Sequence, residues 1–562
     1  MRQILISWLF IFSNITLLCA EGSRCICNCA TPSNVFNIGL FISASTATVP
    51  AEAAIIQTSG YSIVGIGSAK YIRTNRSGAT PFRFQTKDNQ WWELSEDFLH
   101  VDMFGAIGDA TTDNTPAIQA AIDFAAAGGQ FRHGQGATIW ITNGVYVSNQ
   151  LTIRSGTYLT GGNRATGKGG FSAASSSGGA LKAGAAIAAD SFLISSAHNA
   201  KGWGINGLQL IGTGAASKSG GIKINGGGDW MITNNTLKDW GIEAITGHGT
   251  PFVVSYNMVQ GLNNRPYLVS KGQPTGAIKL WGVDGTLDHN EFTGSANLDG
   301  SQSFKVSGKD LFLGAAYFRG LTLSQLSFNI YQVADAGLLH PGDFNNYISE
   351  RFDTNAGHGM YLRWGGSNNI FISPKIERNS LAQNNLYDGI AVSSGGRNKF
   401  VNPTFFAGSP VGSVTYNMRY YINDTKTDYK HNFVNHYESP RVFTKPGTGY
   451  AVLGNPDAAA RISFASDGPL RVTGETPDVW GNLFLKTYNA QPTTISNFLN
   501  GVPGQIITVI DDPSAGAVTK VKHGENIRLR AGTGTLTLNQ DIAIQFINKG
   551  SINSPIWVQL NN

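Results

Sequence analysis

Trp230-Met-Ile-Thr-Asn-Asn-Thr-Leu237, Phe252-Val-Val-Ser-Tyr-Asn-Met-Val259 and Thr286-Leu-Asp-His-Asn-Glu-Phe292 can be laid under one another. Three later segments join them: Asn346-Tyr-Ile-Ser-Glu-Arg-Phe-Asp353, Asn369-Ile-Phe-Ile-Ser-Pro-Lys-Ile-Glu377 and Asn398-Lys-Phe-Val-Asn-Pro-Thr-Phe-Phe406. Apolar residues match at Ile232, Val254, Leu287, Ile348, Ile372 and Val401, and Leu323 fills the widest gap. Shorter apolar segments precede several of them, at Gly221-Ile-Lys-Ile224, Gly241-Ile-Glu-Ala-Ile245, Gly276-Ala-Ile-Lys-Leu280, Gly359-Met-Tyr-Leu362 and Gly389-Ile-Ala-Val392. Each coil therefore reads as a first strand, a Gly/Asn/Asp corner and a second strand. A repeat of this length without helical periodicity between the strands means a solenoid of strands. Each rung buries its apolar side only by stacking on the next. The sequence predicts a parallel β-helix, with Asn234, Asn235, Asn257 and Asn290 forming side-chain ladders at the corners.

Composition agrees. Of 562 residues only 14% are charged and 69 are glycine, which leans toward an all-β protein. The formal net charge of +5 permits an acidic partner, and no Lys/Arg cluster marks a nucleic-acid track. Arg2 and the apolar run Ile4–Cys19 read as a secretory signal peptide, so residues 1–30 are assigned to that or to an unstructured N-terminus. The run is too short, and interrupted too soon by Ser13 and Asn14, for a membrane span, so none is expected in the mature chain. All four cysteines (Cys19, Cys25, Cys27, Cys29) fall there, and Cys-x-Cys-x-Cys lacks the two-residue spacing of zinc sites. No metal is assigned.

Residues 31–100 read as a small β-rich lead-in. Next comes Val101-Asp-Met-Phe-Gly-Ala-Ile-Gly-Asp109, a Thr/Asp-rich turn, and a helix with Thr115 as N-cap, Pro116 at its first position and a stripe of Ile118, Ala121, Ile122 and Ala125. Phe104-Gly-Ala-x-Gly-Asp109 followed by the Ala-Ile-Gln-Ala-Ala-Ile helix and strands resembles the start of the pectate-lyase-like superfamily of right-handed parallel β-helices, which includes phage tailspikes and secreted polysaccharide depolymerases. The resemblance covers roughly residues 100–410. It implies that the helix caps the open end of the solenoid, shielding its sheet edges. Asp109 and Asp113 then read as turn and capping residues. The β-helix is placed at 101–437. A C-terminal β-rich, sandwich-like domain is placed at 438–562, and the resemblance assigns it to trimerisation or glycan contact. It also implies a secreted or virion-borne homotrimer acting on an extracellular or capsular polysaccharide, but leaves the reaction open, because the superfamily holds hydrolases, lyases, epimerases and adhesins.

Hydrolysis of a glycosidic bond needs two carboxyl groups about 5–5.5 Å apart for retention or about 6.5–9.5 Å for inversion. Stacked rungs lie about 4.7–4.9 Å apart, so equivalent acids on neighbouring rungs form natural pairs. Asp353 and Glu377 share a column, Arg351 and Lys375 the next outward column, and Phe352 and Ile376 point inward between them. Stacked carboxylates repel, which raises one and suits it to act as general acid. The competing interpretation is a solvated ion-pair ladder. Glu350, Asp335, Asp343 and Asp388 are held in reserve. Trp281 and Trp364 follow first strands where rings could stack on sugars, Tyr361 and Arg363 share that neighbourhood, and His358 and His340 are candidate ligand contacts. No cofactor is required for hydrolysis. A lyase, the main rival, would use an Arg or Lys base with Ca²⁺ held by acids such as Asp284, Asp288 and Glu291. A glycan-binding adhesin is the reading without catalysis.

Overall fold

The computed structural model describes residues 35–562 except 97, 128–136, 163–177, 215, 295–296, 299–303, 306–312, 364, 407–408, 412–413, 426–434, 443–446, 454–460, 465–469, 513, 515, 540–541 and 562. The cysteines and Trp364 lie outside the described residues.

Three long parallel sheets run side by side, and each turn of the chain adds a strand to each in the same order. The first sheet runs from Leu151–Ile153 to Gly449–Leu453, the second from Leu99–His100 to Arg461–Ser463, and the third from Asp109–Asp113 to Arg441–Val442. One rung is Ala336–Leu338, Asn346–Ile348 and Arg351–Asp353; the next is His358–Leu362, Ile370–Ile372 and Lys375–Glu377. This is a right-handed parallel β-helix.

Three sheets correct the two-strand coil expected from the sequence. Each octapeptide bends in its middle, as between Trp230–Thr233 and Thr236–Lys238. The bend is made by a left-handed residue, Asn234, Tyr256, His289, Phe328, Ser349, Ser373 or Asn402, all with φ between 50° and 56°. The residue after it points inward in the early rungs. There Asn235, Asn257, Asn290 and Asn329 form a buried ladder: each side-chain oxygen accepts the backbone N–H of the previous member at 2.9–3.0 Å where both are asparagine. A second ladder, Asn345, Asn369, Asn398 and Asn435, lines the corner between the first and second sheets.

The register also corrects the apolar column. Ile232, Val254 and Leu287 align with Leu326, Tyr347, Phe371 and Phe400, not with Leu323, Ile348, Ile372 and Val401. A one-residue slip moves side chains to the opposite face. The true inward residues form an aromatic stack, Tyr347–Phe371–Phe400–Tyr437, with ring centroids 4.5, 4.6 and 4.8 Å apart. Ile370 and Ile372 instead stand exposed on the second sheet.

Both ends are closed. Helix α1, Thr115–Ala126, buries Ile118, Ala121, Ile122, Phe124 and Ala125 against the first rung. Gln119 of α1 donates to Thr152 O and accepts from Thr152 N at 3.1 and 2.8 Å, satisfying the edge strand of the first sheet. The cap residue is Asn114, one before the expected Thr115, and its side chain serves the preceding turn by accepting from Ile107 N at 2.6 Å. Asp113 accepts from Thr115 N instead, and Asp109 accepts from the backbone of Thr111 and Thr112. Those bonds hold both carboxyls below the usual carboxylate range.

At the other end the coils continue to Ser463, past the Tyr437 boundary. Trp480 stacks on Tyr450 of the last first-sheet strand at 5.1 Å. Beyond it a six-stranded and a three-stranded sheet enclose a separate core of Leu485, Phe498, Val509, Phe546 and Trp557. A lead-in sheet of five strands, Val35–Leu40 to Trp91–Leu94, precedes the helix. Among the described residues no helix is long and apolar enough to cross a membrane.

Candidate functional site

The candidate residues fall on two faces and two corners. On the third sheet, Arg351, Phe352 and Asp353 pair in register with Lys375, Ile376 and Glu377. Phe352 and Ile376 fill the core while the charged residues face outward, as strand alternation dictates. The two carboxyls are more enclosed than a solvated ladder, with side chains 2% and 8% exposed. Arg351 Nη2 lies 2.8 Å from Asp353 Oδ2 and 2.5 Å from Glu377 Oε1. Lys375 Nζ reaches Glu377 Oε2 at 2.9 Å. Arg378 Nε donates to Asp353 Oδ1 at 2.7 Å, as does the Thr354 hydroxyl. The repulsion expected between stacked carboxylates is thus offset by three cations. Arg378 escaped the sequence reading because it occupies the left-handed corner after Glu377 (φ 50°), which reverses its direction relative to strand alternation.

The aromatic and histidine candidates sit elsewhere, on or beside the first sheet. Trp281 is 38% exposed and stacks on His248 of the previous rung at 5.2 Å. Tyr361 carries Arg363 over its ring at 5.8 Å. His358, at the start of the same strand, lies between Tyr361 and Tyr387. Its Nδ1 accepts the Asp388 N–H at 2.9 Å, and burial lowers its pKa to about 4, so it is neutral with its proton on Nε2. His340 is buried, accepts from Gly342 N at 3.0 Å and meets Tyr317 edge-on.

The reserve acids are each occupied. Asp388 is buried and held by Arg419 through bonds of 2.9 and 2.8 Å and by Asn423 at 2.7 Å. Asp335 is buried against Arg265 of the helix α2, Arg265–Lys271. Asp343 accepts from Ser367 N at 2.7 Å on the corner before the second sheet. Glu350 stands where the asparagine ladder would continue, and Asn329 donates to its Oε1 at 3.2 Å. It is fully buried beside the Tyr331 hydroxyl, and desolvation raises its pKa well above the carboxylate range. A raised carboxyl contributes stability that is present below its unfolded pKa and lost as pH rises through the folded one. Glu350→Gln is expected to remove that decline and to gain about 1–3 kcal/mol at neutral pH. Urea unfolding across about pH 4–8 checks it; an unchanged pH slope refutes the assignment.

The calcium set proposed for a lyase is not assembled. Asp284 sits at a left-handed corner, Asp288 on the second sheet bonded to the Ser327 hydroxyl, and Glu291 on the third bonded to Gln332. Among the described residues no three or more His, Cys, Asp or Glu gather to hold a metal ion.

Residues 98–238 match the family model described as rhamnogalacturonase A/epimerase, pectate lyase-like. No curated protein sequence matches the chain. Among solved structures, full-length tailspike protein 2 from Escherichia coli O157:H7 bacteriophage CAB120 superposes with a TM-score of 0.54 at 10% identity, covering 93% of this chain and 71% of that one. The enzymatically active domain of bacteriophage CBA120 tailspike protein 2 gives 0.53 at 10% identity, covering 92% and 84%. At that identity the likeness is one of fold. Capping helix, three-sheet coil and the match over residues 98–238 together give this chain the pectate-lyase-like, right-handed parallel β-helix fold.

Proposed function

We propose that this chain is an endo-acting polysaccharide depolymerase that cleaves glycosidic bonds of an extracellular or capsular bacterial polysaccharide by two-carboxylate hydrolysis. The observation that carries the reading is the in-register pair Asp353 and Glu377 on an outward face. A single nitrogen of Arg351 touches an oxygen of each at 2.8 and 2.5 Å, so the two oxygens lie at most about 5.3 Å apart, closer than the carboxyl separation associated with inversion. Asp353, enclosed by Arg351, Arg378 and Thr354, takes the role of nucleophile, and Glu377, nearer the surface, that of acid. Arg351 lies between them and must swing aside when sugar enters; its side chain is more than one-third exposed. The family match and the tailspike fold support a polysaccharide as substrate.

The complete neutralisation of both carboxyls favours a second reading, a non-catalytic glycan-binding module in which the ladder only braces the face. A lyase acting by β-elimination is the third. The test is release of reducing ends from a panel of bacterial exopolysaccharides, with ultraviolet absorbance of unsaturated uronates read in parallel. Reducing ends without absorbance are expected. Absorbance means elimination, and binding with neither signal means the module.

The working form is a homotrimer, secreted or carried on a virion surface. Supporting it, the second sheet exposes Ile370 and Ile372 and the corners flanking it expose Leu323, Phe328 and Phe344, an apolar surface of the kind that marks protein contact. Sedimentation is expected to give a trimer of the 59.9 kDa chain, and Phe328→Asp to shift it toward monomer. A monomeric wild type overturns the assembly.

A further inference from the structure

We propose that Glu291 is a second seat for Arg351: as sugar reaches the carboxyl pair, the guanidinium travels back along its own column, over Ile330, and closes on Glu291, which makes Glu291 a positioning residue for the cleavage. The proposal rests on the depolymerase reading above and adds the step by which its site opens. Register sets the path. Met258, Glu291, Ile330, Arg351 and Lys375 stand in one outward column of the third sheet, one rung apart. Glu291 and Arg351 are therefore two rungs apart, about 9–10 Å between backbones, a gap that an arginine and a glutamate extended toward each other can span.

Glu291 is an acid without a cation on a face where acids are otherwise paired. Among the described residues it makes no ion pair, and its carboxyl accepts from Gln332 Nε2 at 2.5 Å. Asp353 and Glu377, by contrast, hold three cations between them. The buried Met258 occupies the rung before Glu291 and the half-buried Ile330 the rung after. Between those apolar neighbours burial raises the pKa of the carboxyl, while the charge of Arg351, already felt at that distance, opposes the rise. A desolvated acid gains more from an arriving cation than a solvated one does.

The move leaves no carboxyl bare. Arg351 bridges Asp353 and Glu377 at 2.8 and 2.5 Å, so the gap between them is closed while it stays. When it leaves, Asp353 keeps Arg378 and Glu377 keeps Lys375. Withdrawing one positive charge from beside an acid also favours the protonated form that a general acid needs. On the way the aliphatic stem of Arg351 lies over Ile330, apolar surface that it covers while its head stays charged. A guanidinium suits both seats, since its planar fork can meet a carboxylate with two parallel bonds.

The test has a structural and a kinetic arm. In a crystal structure of the double variant Asp353→Asn, Glu377→Gln, the charges that hold Arg351 are gone without any sugar being present. Its guanidinium is expected within ion-pair distance of the Glu291 carboxyl. A guanidinium that stays between positions 353 and 377, or turns to solvent, overturns the seat. The kinetic arm uses reducing-end release from a polymer that the wild type cleaves. Glu291→Gln keeps an acceptor for Gln332 and is expected to raise KM about five- to tenfold with kcat within about twofold, because substrate must then open the pair without a second seat. In an Arg351→Gln background the same substitution should change neither constant. A merely structural role would show in both backgrounds. An unchanged KM for Glu291→Gln, or an equal effect without Arg351, overturns the proposal, and this arm decides if the double variant does not fold. Failure of the depolymerase is separable. A wild type that releases no reducing ends from any polymer removes that reading, and the position of the guanidinium alone then judges the seat.

Discussion

Glu377→Gln is expected to lower the release of reducing ends by about 10²–10⁴-fold, the usual contribution of a general acid. Glutamine keeps the shape and one acceptor oxygen for Arg351 or Lys375 but cannot deliver a proton to the leaving oxygen. The released cations are about two-fifths exposed and remain hydrated, so the loss of stability should be about 1 kcal/mol or less. Activity and stability therefore separate, and that separation is the informative result. Wild-type cleavage by the variant would remove Glu377 from the chemistry. Parallel loss of activity and of cooperative unfolding would make the ladder structural. Asp353→Asn is a harsher test, because Arg378 and Arg351 both bond that carboxyl, and a stability loss there is expected whatever its role.

The largest stability effect should come from a residue far from any chemistry. Asn290→Ala removes an oxygen that accepts from Asn257 N and Asn257 Nδ2 at 3.0 Å each. It also removes an amide that donates to Val254 O at 2.8 Å and to Asn329 Oδ1 at 2.9 Å. All of these groups are buried beneath the corner, and each buried group left unpaired costs about 1–3 kcal/mol. Some partners can rebond among themselves, so about 3–6 kcal/mol is expected rather than the full sum. Equilibrium unfolding in denaturant measures it, and a loss under about 1 kcal/mol would refute a stabilising ladder.

What the sequence made legible was what depends on chemical type repeated at a fixed place. The Asn corners, the strand repeat and the capping helix were readable because only a few residues satisfy a buried corner or a sheet edge. The Asp353–Glu377 column was also readable, since Arg-x-Asp and Lys-x-Glu repeat the same alternation. The register of Tyr347, Phe371 and Phe400 was not. Isoleucine and valine neighbours are equally apolar, and only the buried Asn345 and Asn369, two residues before Tyr347 and Phe371, mark which face turns inward. Arg265 and Arg419, which neutralise Asp335 and Asp388, come from connections with no repeat at all.

The two closed ends have a meaning for what happens when the chain is cut. Gln119 of α1 occupies the backbone of the first edge strand, and Trp480 covers Tyr450 at the last. Between them lie three parallel sheets whose every rung is a template for another rung of the same spacing. A fragment ending at Ser463 would keep that template and lose its lid, presenting open strand edges to the next molecule. The C-terminal domain is thus a terminator of growth as much as a unit of its own, and it holds a β-helix of this length to a finite particle.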